Sequence, residues 1–267
     1  MKVTFLGTGT SQGVPVIGCT CEVCRSLDFR DKRLRTSILV EISDRCFVID
    51  TGPDFRQQML REQVKHIDAV IFTHAHRDHT AGLDDVRAYN CLQKMEMPVY
   101  GTRQVLDQLK VEYAYAFVKD YYPGIPRLNL HSINGEAFNV NGVSFLPLPV
   151  MHLHLPVMGF RIENFSYITD AKYIPPETIE KLKGTEILVL NALQREEHVS
   201  HFNLSEAMEV VETIRPQQTY FTHISHKMGI HADVEKELPD HVSLAFDGLK
   251  VTLPVPLPLP LNPLKGT

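Results

Sequence analysis

The stretch Thr73-His74-Ala75-His76-Arg77-Asp78-His79 follows directly on a short apolar run at residues 69–72. This run is short, apolar and rich in strand-forming residues, so it predicts a buried β-strand. Four side chains able to bind metal, three histidines and one aspartate, then occur within six residues. Imidazole and carboxylate groups suit zinc, manganese or iron. A loop at a strand end can present His74 and His76 to one position and Asp78 and His79 to a second, which predicts a centre for two divalent metal ions.

One loop cannot complete two coordination spheres, so partners are expected at other strand ends. His152 follows the strand-like run 147–151, with His154 as a competing candidate. Asp170 and His223 follow the apolar runs 167–169 and 220–222 in the same way. Each of these residues alone would more often be structural. Their shared position just after a short apolar strand favours ligands of the same centre.

Short strands dominate both halves of the chain, with helices between them. Periodicity and turn signals such as Asn141-Gly142 predict hairpins at 37–50, 137–150 and 159–168 and a last hairpin at 245–251. They also predict helices at 55–64 and 204–214 and buried strands at 187–190 and 218–221. We therefore expect an α+β fold, a β-sandwich covered by helices, as one domain over residues 1–253. From Pro254 every second residue is proline through Pro260, which predicts a polyproline-like extension over 254–267.

The composition of the chain argues against some classes of function. The 267 residues are 43% hydrophobic and carry a net charge of −5. No basic stripe is visible, so the sequence predicts no clear nucleic-acid surface. The chain begins without a signal-peptide pattern and has no apolar run near the ~20 residues of a membrane helix. We expect no membrane contact and a cytoplasmic location, and the sequence leaves a homodimer open.

Three of the five cysteines, Cys19, Cys21 and Cys24, crowd into one cluster, while Cys46 and Cys91 are isolated. An odd number with one tight cluster is unlike a secreted disulfide framework and typical of reduced thiols. Three thiolates supply soft ligands, and a tetrahedral zinc site needs a fourth. The alternative is three buried or reactive thiols.

The chain resembles the metallo-β-lactamase superfamily, and within it the PhnP-like phosphodiesterases. The superfamily pattern is His-x-His-x-Asp-His, then a distant His, an Asp and a last His. Further similar stretches are Gly7-Thr8-Gly9-Thr10-Ser11-Gln12-Gly13-Val14-Pro15, Gly18-Cys19-Thr20-Cys21-Glu22-Val23-Cys24, Pro147-Leu148-Pro149, Thr222-His223-Ile224-Ser225-His226 and Phe246-Asp247-Gly248. The resemblance covers nearly the whole chain and implies a four-layer αββα sandwich.

The resemblance also implies which residues hold metal. One ion would be held by His74, His76, His152 and Asp170, and a second by Asp78, His79, Asp170 and His223, with Asp170 bridging. The similar Pro147-Leu148-Pro149 stretch favours His152 over His154. His226, three residues after His223, would complete a structural zinc site with Cys19, Cys21 and Cys24 and would anchor the periodless segment 10–35.

Two cations near one another would lower the pKa of a bridging water and supply hydroxide. Asp78 is predicted to be a catalytic residue as well as a metal ligand. The resemblance places a catalytic histidine at His201, our candidate general acid, with His198 as competitor. The stretch around His201 could equally be a helix cap. Asp50 and Asp54 either orient ligand histidines or serve only in the turn.

We therefore expect a metal-dependent phosphodiesterase acting on a cyclic or small phosphodiester, such as a phosphoribosyl 1,2-cyclic phosphate. Three rivals remain open. They are a tRNA 3′-processing endonuclease-like nuclease, a thioester hydrolase, and a non-catalytic metal-stabilised binding protein related to quinone-cofactor biosynthesis. The intact motif from His74 to His79 argues against the last.

Overall fold

A computed structural model describes residues 1–118 and 124–254. Its strands are β1 (Lys2–Gly7), β2 (Ser37–Ile42), β3 (Arg45–Ile49), β4 (Ala69–Ile71), β5 (Met97–Thr102), β6 (Leu128–Ile133), β7 (Phe138–Val140), β8 (Val143–His152), β9 (Leu155–Ile162), β10 (Phe165–Ile168), β11 (Ile187–Asn191), β12 (Gln218–Thr222), β13 (Val242–Leu244) and β14 (Lys250–Thr252). Its α-helices are α1 (Glu22–Arg25), α2 (Phe55–Glu62), α3 (Arg77–Thr80), α4 (Arg87–Gln93), α5 (Arg103–Glu112), α6 (Pro176–Leu182), α7 (Leu204–Ile214) and α8 (His231–Val234).

The strands form two mixed sheets with seven strands each. The first has the order β14-β1-β2-β3-β4-β5-β6, and the second has the order β13-β12-β11-β10-β9-β8-β7. In each sheet the hairpin-connected strands are antiparallel, while β3 to β6 and β10 to β13 run parallel. Parallel strands present their carboxyl ends at one edge, and ligands commonly lie there in such sheets.

Three apolar layers hold the sheets and helices together. Between the sheets, Phe5 and Phe47 of the first pack with Phe145, Phe160 and Tyr167 of the second. One outer layer joins the first sheet to α2, α4 and α5, and another joins the second sheet to α6, α7 and α8. Each large buried side chain contributes about 1.5–3 kcal/mol through its removal from water. The αββα sandwich expected from the sequence is thus confirmed.

Local sequence signals account for most element ends. The hairpin between β7 and β8 turns through Asn141 and Gly142, both with positive φ, as a primed turn requires. Helix α7 begins with a capping box in which Asn203 accepts from the backbone N–H of Glu206 and Glu206 accepts from Asn203. The predicted hairpins at 37–50, 137–150 and 159–168 are confirmed.

The last predicted hairpin, 245–251, is wrong. Strand β13 pairs with β12 in the second sheet, whereas β14 pairs with β1 in the first. The intervening turn is held by the backbone of Phe5, which donates to Leu249 and accepts from Gly248. Asp247 and Gly248 do form a turn, but the strands on either side of it join different sheets. Local pattern alone cannot reveal such a crossing.

The proposed proline-rich extension lies outside the described residues apart from Pro254, and the division at residue 253 stays a prediction. In the two described ranges of the chain, no helix combines the length and apolar character needed to cross a membrane.

Candidate metal centre

The predicted ligands meet at one edge of the sandwich. His74 follows β4, Asp170 follows β10, His223 follows β12, and His152 ends β8. Asp170 and His223 adopt left-handed backbone conformations with φ of 55° and 57°. Such a conformation costs a residue other than glycine roughly 1–2 kcal/mol. Surrounding structure must hold both residues in place, which is a common property of functional sites.

One group of potential ligands consists of Asp78, His79, Asp170 and His223, whose donor atoms lie within 4.8 Å of one another. Nε2 of His79 lies 3.3 Å from Oδ2 of Asp78 and 3.3 Å from Oδ1 of Asp170. Nε2 of His223 lies 3.2 Å from Oδ2 of Asp170. Metal bonds of about 2.0–2.1 Å in a tetrahedron separate neighbouring nitrogen and oxygen ligands by about 3.3 Å. The spacing therefore fits a single cation.

Two further groups share Asp170 with the first. His74 and His76 form one with Asp170, and His152 and His201 form the other. The rings of His76 and His152 are 5.2 Å apart between centroids. The structure brings His152 into the cluster, while His154 is exposed in the following turn. The other six predicted active-site ligands thus lie around the carboxylate of Asp170.

Buried nitrogens without partners are aimed into this cluster. Among the described residues, Nε2 of His74, Nε2 of His79 and both ring nitrogens of His223 are buried without a hydrogen-bond partner. Buried polar atoms normally have partners. By contrast, Nδ1 of His152 lies 2.8 Å from the carbonyl oxygen of Ser200, so an N–H there leaves Nε2 as the metal-binding atom. These donors fit divalent cations.

The charged groups of the cluster shift one another's pKa values strongly. Burial alone would raise the pKa of Asp170, but His223 and His79 outweigh it and hold that pKa well below its usual range. Burial would lower the pKa of His79, yet Asp170, Asp78 and Asp50 outweigh it and hold the pKa well above the ordinary value. Burial depresses the pKa of His74, and the charge of His79 adds to this. A proton on His79 therefore balances carboxylates that a cation would otherwise neutralise.

Asp50 and Asp54 have different roles, although both belong to the same turn. Fully buried Asp50 accepts from the backbone N–H and hydroxyl of Thr73, and its Oδ2 lies 2.7 Å from Nδ1 of His79. It therefore orients a predicted ligand. Asp54 instead accepts from the backbone N–H of Arg35 and pairs with its guanidinium at 3.2 Å. The interpretation of Asp54 as a histidine-orienting residue is wrong.

His201 lies inside the cluster and is not the helix cap. The cap of α7 is Asn203, two residues further on. Nε2 of His201 lies 3.3 Å from Oδ2 of Asp170, and its ring stacks on His223 at 4.9 Å. Its Nδ1 lies 3.3 Å from Nδ1 of His198, which is more exposed and belongs to none of the ligand groups described above. Of the two candidates, His201 alone faces the ligand cluster among the described contacts.

Sequence reasoning missed Asn191, the last residue of β11. Its side chain accepts from the backbone N–H of Ala171 and donates to the Ala171 carbonyl. This fully buried amide fixes the loop that follows Asp170. Asn191 also follows an apolar strand, as the predicted ligands do, so a search for any polar side chain at a strand exit would have found it.

A second group of ligand types joins Cys19, Cys21, Cys24 and His226. Nδ1 of His226 lies 3.3, 3.4 and 3.6 Å from the three sulfur atoms. Tetrahedral zinc, with Zn–S of about 2.3 Å and Zn–N of about 2.0 Å, separates sulfur from nitrogen by about 3.5 Å. A backbone N–H of Cys24 donates to Cys21 and lowers the pKa of its thiol to about 6. The geometry fits zinc.

Comparison with known proteins agrees with this geometry. The β-lactamase superfamily domain model matches residues 45–224. The chain belongs to the metallo-β-lactamase superfamily. Within it, a solved structure described as a new diphosphatase from the PhnP family is 38% identical, with a TM-score of 0.89 over 95% of this chain and 98% of that one. This likeness supports the PhnP-like resemblance seen in the sequence.

Two further comparisons differ in how much of each protein they cover. Zinc-bound PqqB from Methylobacterium extorquens shares the fold, with 19% identity and a TM-score of 0.78 over 95% of this chain and all of that one. A Porphyromonas gingivalis protein named octanoyltransferase is 40% identical over 95% of this chain and 52% of its own length. The chain spans about half the length of the curated relatives it matches. Fold and donor cluster together support a metal-dependent hydrolase, with which the name octanoyltransferase disagrees.

Proposed function

We propose that the chain is a metal-dependent phosphodiesterase acting on a cyclic or small phosphodiester of the phosphoribosyl 1,2-cyclic phosphate kind. The observation that carries the proposal is the position of Asp170. Its carboxylate lies within 4.8 Å of ligand atoms in three groups that surround it on different sides. One carboxylate between two imidazole-rich sets suits a pair of cations that share a bridging ligand.

Each residue has a role in this proposal. His74, His76, His152 and Asp170 would hold one ion, and Asp78, His79, Asp170 and His223 the other. When bound, two divalent cations, zinc or manganese, supply a water of lowered pKa and neutralise charge on the phosphate. Asp78, at 14% side-chain exposure the most accessible member of its group, would also face the incoming substrate.

His201 would donate a proton to the leaving oxygen. Burial lowers the pKa of His201 to about 4, although Asp170 opposes this. The imidazole is therefore neutral at pH 7 before substrate binds. A phosphate anion beside it would raise the pKa towards the range in which a histidine acts as a general acid. Nδ1 faces Ser200 at 3.1 Å, which leaves Nε2 on the side of Asp170 for the reaction.

A second candidate is hydrolysis of a diphosphate. It is favoured by the description of the 38% identical relative as a diphosphatase. Both reactions break a P–O bond next to the same cluster and need the same charge neutralisation. They differ in the leaving group, which is a sugar oxygen in the diester and a phosphate in the diphosphate. A phosphate leaving group needs less help from His201.

We place octanoyl transfer outside the part of the Porphyromonas relative that matches this chain. That relative has nearly as many residues outside the match as within it. The described cluster is built from imidazole and carboxylate groups, and neither Cys46 nor Cys91 belongs to it. An octanoyl thioester therefore serves as a test compound for the rival thioester hydrolase.

The test uses chelator-treated wild type reloaded with zinc or with manganese. Its substrates are a ribose 1,2-cyclic phosphate, bis(p-nitrophenyl) phosphate, a nucleoside diphosphate, a tRNA precursor and octanoyl thioester. We expect metal-dependent cleavage that is fastest for the cyclic diester. Fastest cleavage of the diphosphate would select the second candidate. Preference for tRNA or thioester would select those rivals, and inactivity on all of them would favour a binding protein.

A further inference from the structure

The loop after β12 carries ligand types for both predicted metal sites. His223 faces the active-site cluster, and His226, three residues later, faces the three cysteines. Ile224, between them, is 2% exposed. Any displacement of His226 must therefore be absorbed within a very short length of chain. Two buried residues, Ile224 and Ser225, separate the two histidines.

The backbone of segment 8–10 holds this loop in place. The N–H of Ile224 donates to the Thr8 carbonyl at 2.8 Å, and its carbonyl accepts from Thr10 at 3.1 Å. Gly9 thereby bridges Ile224 on one side and Arg35 on the other. Its N–H donates to Leu34 at 2.8 Å. Segment 8–10 thus acts as an additional strand between residues 34–36 and the ligand loop.

No side chain fits at the centre of this contact. A Cβ on Gly9 would lie 2.9 Å from both Cβ and the carbonyl oxygen of Arg33 and 3.0 Å from the carbonyl oxygen of Leu34. Thr8 is fixed as well, since its hydroxyl donates to Asp247 at 2.8 Å and accepts from Arg33 at 2.9 Å. Segment 8–10 is therefore rigidly placed on the side away from the loop.

The cysteine site provides a second connection between segment 8–10 and the loop after β12. Segment 8–10 continues through residues 11–15 to residues 16–24, which carry Cys19, Cys21 and Cys24, and these three cysteines lie beside His226. Occupation by zinc would close a ring of backbone that runs from Thr10 through the cysteines to His226 and back to Ile224. The left-handed backbone of His223, with φ of 57°, needs such support on its carboxyl side.

We propose that the Cys19–Cys21–Cys24–His226 site is a positioning device for His223, acting through the hydrogen bonds between segment 8–10 and Ile224. Filling the sulfur site strengthens metal binding at the Asp78–His79–Asp170–His223 group. By linkage, active-site metal strengthens retention of zinc by the cysteines to the same degree. This inference rests on the proposed metal centre but not on its substrate.

The test measures active-site metal affinity and not turnover. Cys21→Ser is compared with Cys91→Ser, and Gly9→Ala with Gly135→Ala, where a Cβ meets nothing within 4 Å. Cobalt replaces zinc, because thiolate-to-cobalt absorption reports the sulfur site separately from the nitrogen and oxygen site. Dissociation constants are measured by chelator competition at a temperature at which every variant is folded.

We expect Cys21→Ser to lose the thiolate absorption and to bind active-site metal at least tenfold more weakly. Gly9→Ala is expected to keep the thiolate absorption and still to bind active-site metal more weakly. The two controls should match wild type. Active-site affinity within twofold of wild type in both test variants would overturn the proposal, as would a wild type without thiolate absorption. If the coupling is observed but the protein prefers another substrate, the proposed function is wrong and the coupling between the two metal sites still holds.

A measurement on wild type covers the case in which a variant does not fold. A thiol-reactive mercurial displaces metal from the cysteines in the folded protein. Active-site metal is then expected to become accessible to chelator at the same rate as the thiols react. Retention of active-site metal after complete thiol modification would overturn the proposal.

Discussion

Nδ1 of His79 lies 2.7 Å from Oδ2 of Asp50, and both side chains are fully buried. The same carboxylate accepts two hydrogen bonds from Thr73, which lies in the loop after β4. The backbone of Asp50 belongs to the turn after β3, so the carboxylate joins that turn to the loop. This arrangement turns Nε2 of His79 towards Asp78 and Asp170. Asp50 therefore sets the orientation of a proposed metal ligand.

Substitution Asp50→Asn is expected to weaken active-site metal binding by about 10–100-fold, the usual effect of losing a partner that orients a ligand. An amide has one acceptor oxygen, so it cannot accept all three hydrogen bonds that the two oxygens of the Asp50 carboxylate take from Thr73 and His79. Asp54→Asn is the matched control, because Asp54 lies in the same turn and contacts Arg35. Calorimetric titration with zinc gives both affinities. Equal affinities for the two variants would show that Asp50 does not support the ligand.

Removing the imidazole of His201 should affect substrates according to their leaving groups. His201→Ala is expected to lower kcat about 10²–10⁴-fold for a sugar leaving oxygen, which needs a proton, and much less for p-nitrophenolate. His154→Ala is the control, since His154 is exposed outside the cluster. Steady-state kinetics on both substrates provides the measurement. An equal loss on both would assign His201 to binding or to ligand positioning.

Stability should depend on pH through Asp247, which lies among Thr8, Leu34 and Arg61. Burial raises the pKa of its carboxyl to about 6, although these hydrogen bonds oppose the effect. A raised folded-state pKa contributes stability that is fully present below about pH 4 and is lost as the pH rises through about 6. The contribution is at most about 3 kcal/mol from a shift of about two pH units.

The measurement compares urea unfolding of wild type and Asp247→Asn between pH 4 and pH 7. The free energy of unfolding of wild type should fall relative to that of the variant as the pH rises, because asparagine cannot ionise. Asp44→Asn, at an exposed position in the β2–β3 turn, should follow wild type. A constant difference between wild type and Asp247→Asn across this range would refute the role of Asp247.

Much of the centre could be predicted because the ligands lie at or soon after the ends of short strands. A short apolar strand with His or Asp at its exit is visible locally, and His74, Asp170 and His223 all obey that pattern. The carboxyl ends of β4 in the first sheet and of β10 and β12 in the second meet at one edge of the sandwich, which brings these residues together. The cysteines were equally visible as a cluster, since Cys19, Cys21 and Cys24 are close in sequence.

Other features depend on contacts between distant segments and leave no local pattern. Strand β14 pairs with β1, which lies at the other end of the chain. The sequence near β14 gives no sign of this distant partner, and the local pattern therefore predicts a hairpin. Buried Arg33 donates to Thr8 and lies 3.0 Å from Nδ1 of His231, yet nothing in the polar segment 10–35 marks it as buried. The different roles of Asp50 and Asp54 also depend on such distant contacts, because the two residues occur in one turn and differ only in their partners, His79 and Arg35.

The central claim is that the Asp170-centred cluster performs metal-dependent phosphodiester cleavage. The most direct measurement is the rate of ribose 1,2-cyclic phosphate hydrolysis by metal-reloaded wild type, Asp78→Ala and His79→Ala, with metal content determined on the same samples. We predict that both variants lose bound metal and at least about 10²-fold in kcat/KM, because each removes a ligand from the cation that neutralises the phosphate. Wild-type rates in either folded variant would contradict the account.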